Sequence, residues 1–362
     1  MPDVVTTVVA SLGKRLPTRA TLPHMVPARR PAVVLAMSPA NLPRLLDDHQ
    51  RQRLAAIADV DLDLVLDEYH SPRARAALGR AEVLLTCWGA PPVDAEAVAA
   101  APGLAAVVHG AGSVKSLVTQ AAWDHGVRVS SAVAANAVPV AEYTVAMVVL
   151  AGKRASPIQA AYRADARRQD WAARFPGLGN YHTTVGIVGA SHVGRRVLDL
   201  LAAYEMDVLL ADPTLTAAQA AGLGARLVDL DELAAGSDVV SIHAPDVPAT
   251  YHLFDARRLA LMPDGATLVN TARGRLVDTA ALTAETVSGR LSAVLDVTDP
   301  EPLPADSPLF GLPNVVLTPH IAGSLGNEVH RMGALAVDEV ERFARGEGFA
   351  HPVDRARLDL LA

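Results

Sequence analysis

The chain of 362 residues is 51% hydrophobic, has a formal net charge of −7 and contains one cysteine, Cys87. Its length and apolar content suit two domains with buried cores, and its scattered, net acidic charge leaves no basic footprint for nucleic acid. A lone cysteine excludes an intrachain disulfide and a cysteine-cluster zinc site, and no H-E-x-x-H spacing points to a metal.

Residues 1–30, with Pro17, Pro23 and Pro27 and paired arginines, read as an N-terminal arm. They lack a basic n-region, and the apolar piece at 4–12 is too short for a signal helix. No later stretch is an uninterrupted apolar span of about twenty residues, so the chain reads as cytoplasmic with no membrane partner.

From Pro31 a regular beat begins. Residues 32–37, 62–66, 81–86, 104–112 and 127–130 read as strands, and 42–57, 94–100 and 116–125 as helices. Apolar strands alternating with helical segments imply a parallel sheet covered on both faces. Residues 139–153 are apolar nearly all round, so that helix must be buried on most of its surface, as a hinge or interface helix would be. A polar stretch at 154–182 then leads to the second unit.

There the apolar run Val185 to Val188 stops at Gly189, and a helical pattern through Val193, Val197, Leu198 and Leu201 starts at once. A second run, Val208 to Ala211, ends in Asp212, about 20 residues after the turn, as in a Rossmann unit. Gly189 permits the sharp turn, the N–H groups opening the helix face a pyrophosphate, and Gly194 lets that helix lie close on the strand. Asp212 would accept hydrogen bonds from ribose hydroxyls and repel a 2′-phosphate, which favours NAD over NADP. Ser191 replaces the middle glycine of G-x-G-x-x-G, and many parallel-sheet proteins have a glycine turn without a nucleotide. Strand context and the acid tip the reading toward a dinucleotide.

Further strands are expected at 225–228, 238–245, 266–274, 293–297 and 314–318, with helices at 231–235, before Pro263, and at 279–288. From Val185 this makes the six or seven strands of one doubly wound sheet. A last helix, 325–344, has no strand after it and is free to cross back to the first unit. The fold class is therefore α/β, with two doubly wound parallel-sheet domains, Rossmann-like and flavodoxin-like, and a cleft between them.

Ligands of open parallel sheets sit outside the carboxyl ends of the strands. That rule selects Arg273, Asp296, Glu301 and His320. An arginine offers a two-pronged fork to a carboxylate, and a histidine backed by a carboxylate can pass a proton near neutral pH. Taken singly, Arg273 reads equally well as a surface arginine, Glu301 as a solvated loop acid and His320 as a core histidine.

Three ordered blocks weigh on that choice: Asn270-Thr271-Ala272-Arg273-Gly274, Leu295-Asp296-Val297 through Glu301-Pro302, and Leu317-Thr318-Pro319-His320-Ile321-Ala322-Gly323. Together they resemble the D-isomer-specific 2-hydroxyacid dehydrogenase family, as do Gly110-Ala111-Gly112 and Val140-Ala141-Glu142, and the likeness covers about residues 80–345. The resemblance implies that Arg273 holds the substrate carboxylate and polarises the keto oxygen, that His320 is the acid–base group, and that Glu301 orients it. It implies that Asp296 contacts the nicotinamide carboxamide, and that the Gly110, Ala111 and Gly112 loop binds substrate with Arg273. The cofactor-binding set it implies is Gly189, Ser191, His192, Val193, Asp212, His243, Ala244, Pro245, Thr271, Ala272, Asp296 and Gly323. The family architecture implies a discontinuous substrate domain, 31–148 plus 325–362, around an NAD-binding domain at 149–324, and a homodimer. It also implies NAD-linked interconversion of a small D-2-hydroxy acid and its 2-keto acid.

The chain departs from the family pattern in places. Arg275 stands where small residues are frequent, which would admit a dianionic or phosphorylated substrate. His109 precedes the Gly110 loop, and Ser113 and Lys115 follow where the family often has aspartate and asparagine. Glu301 argues against formate dehydrogenase, the relative with glutamine there. Related corepressors share the three polar groups, so an NAD-binding regulatory dimer is the rival reading.

Overall fold

The structure is a computed structural model and describes residues 29–360. The expected N-terminal arm lies outside the described residues except for Arg29 and Arg30.

The first sheet contains β1 (Ala32–Ala36), β2 (Asp59–Leu66), β3 (Val83–Thr86), β4 (Ala106–His109) and β5 (Arg128–Ser131), all parallel in the order β2-β1-β3-β4-β5. Its helices are α1 (Leu42–Leu45), α2 (Asp48–Ile57), α3 (Pro72–Leu78), α4 (Ala95–Ala100) and α5 (Gln120–Asp124). Alternate strand residues serve opposite faces, because successive side chains point to opposite sides of a pleat. Val33, Leu35, Val83, Leu85 and Val108 pack toward α1 and α2, whereas Val34, Leu84, Val107 and Val129 pack toward α3, α4 and α5. Each fully buried side chain of this kind contributes about 1.5–3 kcal/mol.

The helix expected over 42–57 is two helices. Asp47 breaks the run, because its carboxylate accepts the Gln50 N–H at 2.8 Å while Gln50 Oε1 accepts the Asp47 N–H at 3.0 Å. That reciprocal cap starts a helix more favourably than it continues one.

After β5 comes α6 (Val133–Gly152), which begins six residues before the expected start and carries Pro139 inside it. The run Val133 to Val138 is alanine-rich and helix-forming, so the proline falls in the interior, where it lacks the N–H that would bond the Ala135 carbonyl. By length and composition α6 could cross a membrane, but here Ala141, Val145 and Val148 pack into the core of the second sheet. The polar stretch at 154–182 holds α7 (Ala155–Asp165) and α8 (Trp171–Arg174).

The second sheet has seven parallel strands: β6 (Thr184–Val188), β7 (Asp207–Ala211), β8 (Arg226–Leu227), β9 (Val239–Ile242), β10 (Thr267–Asn270), β11 (Ser292–Leu295) and β12 (Val315–Leu317). Their order is β12-β11-β10-β9-β6-β7-β8, so the chain reverses direction across the sheet between β6 and β9. Helices α9 (His192–Leu201), α10 (Ala217–Gly222), α11 (Leu230–Gly236), α12 (Ala256–Leu261) and α13 (Thr279–Val287) connect them. The short helix α10 was not expected; it is opened by a capping box between Thr216 and Gln219.

The last helix, α14 (Val329–Ala344), returns to the first sheet. Val329, Met332, Ala336, Val337, Val340 and Phe343 join the core beneath β1, β3 and β4. Beyond it, Val353 N–H bonds the Val129 carbonyl at 2.8 Å.

Candidate active site

The reversal point between β6 and β9 is where a doubly wound sheet opens a crevice. Gly189 ends β6 with φ +93°, a conformation that L side chains avoid, and a Cβ there would lie 3.0 Å from both the Ala244 nitrogen and the His243 carbonyl oxygen. A Cβ on Gly194 would overlap the Gly189 carbonyl, so α9 can reach the turn only without one. Ser191, in place of the missing glycine, caps α9: its hydroxyl accepts the Gly194 N–H at 3.3 Å. His192 and Val193 form the first turn of α9.

Asp212 follows β7 beside this turn. Its carboxylate accepts the Ala190 N–H at 2.7 Å, the Thr214 N–H at 2.8 Å and the Thr214 hydroxyl at 2.6 Å. Partial burial opposes ionisation, yet these bonds and the Arg195 charge outweigh it and hold the carboxyl below its ordinary range. A glycine-only cradle, a helix N-terminus and an ionised acceptor together fit a dinucleotide, with the pyrophosphate at α9 and a ribose at Asp212.

His243, one of the expected cofactor-binding positions, lies at this turn through its backbone. Its imidazole is 3% exposed, sits 2.9 Å from the Ser241 hydroxyl, and is pushed by burial from 6.5 to about 3. The backbone of His243 and Ala244 lies against the Gly189 turn, and the His243 Cβ lies 3.4 Å from where a Cβ on Gly194 would stand. Pro245 continues the same loop.

Beyond the carboxyl ends of the outer strands of the same sheet, His320 follows β12 and Glu301 lies in the loop between β11 and β12. His320 Nδ1 is 2.9 Å from Glu301 Oε1, and both side chains are about half exposed. With Nδ1 donating to the carboxylate, Nε2 is left as the ring atom that can give or take a proton. His320 has φ +55°, an uncommon state for a residue with a Cβ. Asp296 holds it there: buried at the end of β11, it accepts the Ile321 N–H at 2.8 Å and the Ala322 N–H at 2.9 Å, while its backbone oxygen accepts the His320 N–H at 2.9 Å.

Arg273 follows β10 and is partly buried, with Nη1 donating to the Ala272 carbonyl at 2.6 Å. Asn270 shapes its loop by accepting the Ala272 N–H at 3.1 Å and donating to the Arg273 carbonyl at 2.8 Å. A Cβ on Gly274 would overlap the Thr298 backbone, so the Arg273 loop lies directly on the segment leading to Glu301. Arg275 points to other partners. Its guanidinium lies 3.6 Å from Asp246 and 5.3 Å from the centre of the Tyr251 ring.

Three residues absent from the expected site tie these loops to α6. Asn136 Oδ1 accepts the Ser324 N–H at 2.8 Å next to Gly323, Tyr143 Oη is 2.7 Å from Thr318 Oγ1, and Thr144 Oγ1 is 2.9 Å from Thr271 Oγ1. A signal was present: polar residues at i, i+7 and i+8 of a helix whose one other polar side chain is Glu142 lie on one face. In the first sheet, Gly110, Ala111 and Gly112 follow β4, and the Ala111 carbonyl accepts the Ala132 N–H at 2.9 Å. His109, just before them, is buried, lies 2.9 Å from the Thr86 hydroxyl, and is lowered by burial to about 4.

Residues 145–322 match the family model for the D-isomer specific 2-hydroxyacid dehydrogenase NAD binding domain. The chain is 38% identical over 274 residues to the D-3-phosphoglycerate dehydrogenase of Mycobacterium tuberculosis, covering 75% of this chain and 51% of that one. It is 32% identical over 258 residues to a glyoxylate reductase of Korarchaeum cryptofilum, covering 71% of this chain and 78% of that one. The chain spans about half the length of the phosphoglycerate dehydrogenases it matches. Among solved structures, the apo D-mandelate dehydrogenase of Rhodotorula graminis superposes with a TM-score of 0.73 at 25% identity, covering 90% of this chain and 98% of that one.

Proposed function

The chain belongs to the D-isomer-specific 2-hydroxyacid dehydrogenase family, and we propose that it interconverts a small D-2-hydroxy acid and the matching 2-keto acid with NAD. The observation that carries this reading is the His320–Glu301 hydrogen bond at 2.9 Å, set on the same side of the sheet as the Gly189 turn. Bound NAD would supply the hydride acceptor for oxidation, and its reduced form the hydride donor for reduction.

The chain's own groups would do the rest. Arg273 binds the substrate carboxylate through its planar fork and turns partial positive charge toward the keto oxygen. His320 Nε2 gives its proton to that oxygen during reduction and takes one from the hydroxyl during oxidation. Glu301 keeps Nδ1 protonated and the ring oriented. The Ala111 and Gly112 amides present N–H groups to the acid, while the Gly110 N–H is given to the Thr86 carbonyl at 2.7 Å and holds the loop to β3. Asp212 disfavours a 2′-phosphate by charge, which supports NAD over NADP.

A phosphorylated hydroxy acid is the second reading, favoured by the phosphoglycerate dehydrogenases among the relatives. The pairing of Arg275 with Asp246 and Tyr251 weighs against it, because that cation is already engaged. Loss of NADH absorbance with glyoxylate, hydroxypyruvate, branched 2-keto acids and phosphohydroxypyruvate tests both. Turnover of the unphosphorylated acids supports the first reading; preference for phosphohydroxypyruvate supports the second; no turnover with any of them refutes both.

A further inference from the structure

Of the three polar groups on α6, Tyr143 stands at the head of a hydrogen-bond chain whose direction can be deduced. Thr318 Oγ1 donates to Asp296 Oδ1 at 2.6 Å, because a carboxylate has only acceptor sites to offer. The single hydroxyl hydrogen of Thr318 is thereby used, and its oxygen must accept the Tyr143 O–H at 2.7 Å. Burial raises the Tyr143 phenol above its ordinary range, while the bond to Thr318 pulls the other way, so the hydrogen needed for this donation is retained.

Asp296 at the end of the chain is 2% exposed, and its remaining bonds go to the Ile321 and Ala322 amides. Those amides follow His320, whose left-handed backbone persists only if its surroundings hold it. Tyr143 therefore acts on His320 through two intermediates and without touching it. The neighbouring Thr144 bonds Thr271, two residues before Arg273, so consecutive positions of α6 fix both loops that carry the proposed chemistry.

We infer that Tyr143 is a positioning residue, which orders Thr318 and Asp296 so that the His320 loop presents its imidazole in line with Glu301. Its effect on rate rests on the dehydrogenase reading above; its effect on loop order does not. Tyr143→Phe removes the donor and keeps the ring, Thr318→Val removes the whole relay, and Thr318→Ser keeps the hydroxyl.

Steady-state kinetics on the full chain should show turnover reduced about ten-fold in Tyr143→Phe and more in Thr318→Val, since small misplacements of a reacting group cost such factors. KM for NADH should stay within about two-fold, and Thr318→Ser should recover most of the rate. Hydrogen–deuterium exchange across residues 318–324 should quicken in the two damaging variants and be ordinary in Thr318→Ser. Unchanged turnover and exchange in Tyr143→Phe would overturn the inference, as would equal loss in all three variants. Faster exchange in a protein that turns over no 2-keto acid would uphold the ordering role and sink the dehydrogenase reading instead.

Discussion

In the five-stranded half, the residues just past the central strands are Met37 and Ser38, Cys87 and Trp88, and Gly110, and its one buried histidine, His109, is kept neutral by burial. In the seven-stranded half, the strand ends lead into Asp212, Arg273, Asp296 and His320. Both are doubly wound parallel sheets with helices on both faces. Architecture is thus shared, while the ionisable groups of the proposed chemistry follow strands of one half; in the other half Asp67 and Glu68 follow only the edge strand β2, and the central strands lead into apolar, hydroxyl and backbone groups. A parallel sheet provides a platform, and the residues immediately beyond its strands decide what is done on it.

The sharpest way to break this comparison is to exchange histidines for glutamine in each half. His320→Gln should cut turnover by about 10²–10⁴ while NADH fluorescence titrations stay unchanged, because it removes only the proton carrier. His109→Gln should lower the melting temperature and leave turnover within a few-fold. Equal kinetic losses from both would mean that the halves share the chemistry.

A second contrast uses glycines. At Gly189 an added Cβ would meet two backbone atoms at 3.0 Å in a positive-φ residue, so Gly189→Ala should weaken NAD binding and cost about 1–3 kcal/mol of stability. At Gly110 the nearest atom is the end of the Leu45 side chain at 2.9 Å, which can rotate away. Gly110→Ala should raise KM for the acid modestly and leave NAD affinity alone; calorimetric titration with NAD separates the two cases.

The effect that is smallest at neutral pH, and grows only in acid, concerns stability, to which each half contributes one buried imidazole. His109 and His243 fall from 6.5 to about 4 and about 3 on folding. Below pH 6.5 the unfolded chain binds protons that the folded one refuses, so stability declines as pH drops toward 4, by about 1.4 kcal/mol per pH unit for each histidine. His109 stops contributing to the decline near pH 4 and His243 near pH 3. Urea unfolding between pH 7 and pH 4 measures this slope, and replacing either histidine with glutamine should roughly halve it. A flat profile in the unaltered protein would contradict the burial of both rings.

The central strands were legible because both faces of each sheet are covered there, which makes them apolar runs: residues 32–37 were expected and Ala32–Ala36 is observed, whereas the edge strand Asp59–Leu66 alternates aspartate with apolar residues and only its 62–66 part was expected. The Gly189 turn and Asp212 were legible for a local reason, since turn, helix start and acid fall within one βαβ unit. The division of 42–57 was missed because Asp47 caps through its side chain, a choice that apolar spacing does not report. Pro139 misplaced the start of α6, since a proline at the first helical turn and one inside a buried helix look alike in sequence. His243 is legible as a position at the glycine turn because of its place along the loop; the burial of its ring beside Ser241 is a matter of packing that spacing does not encode. Asn136, Tyr143 and Thr144 share one face of α6, but their partners lie more than a hundred residues away, so spacing alone does not show what they bind.

The polypeptide leaves the five-stranded half along α6 and comes back to it at α14, and the single Asn136–Ser324 bond joins the outgoing and returning segments just before the Pro139 interruption. Anyone building chimeras by transplanting a foreign acid-recognition module onto this scaffold therefore has two splice sites that are not independent. A donor segment lacking an amide side chain at position 136 would lose one tie between its two seams and keep only the packing of α6 against α14 there.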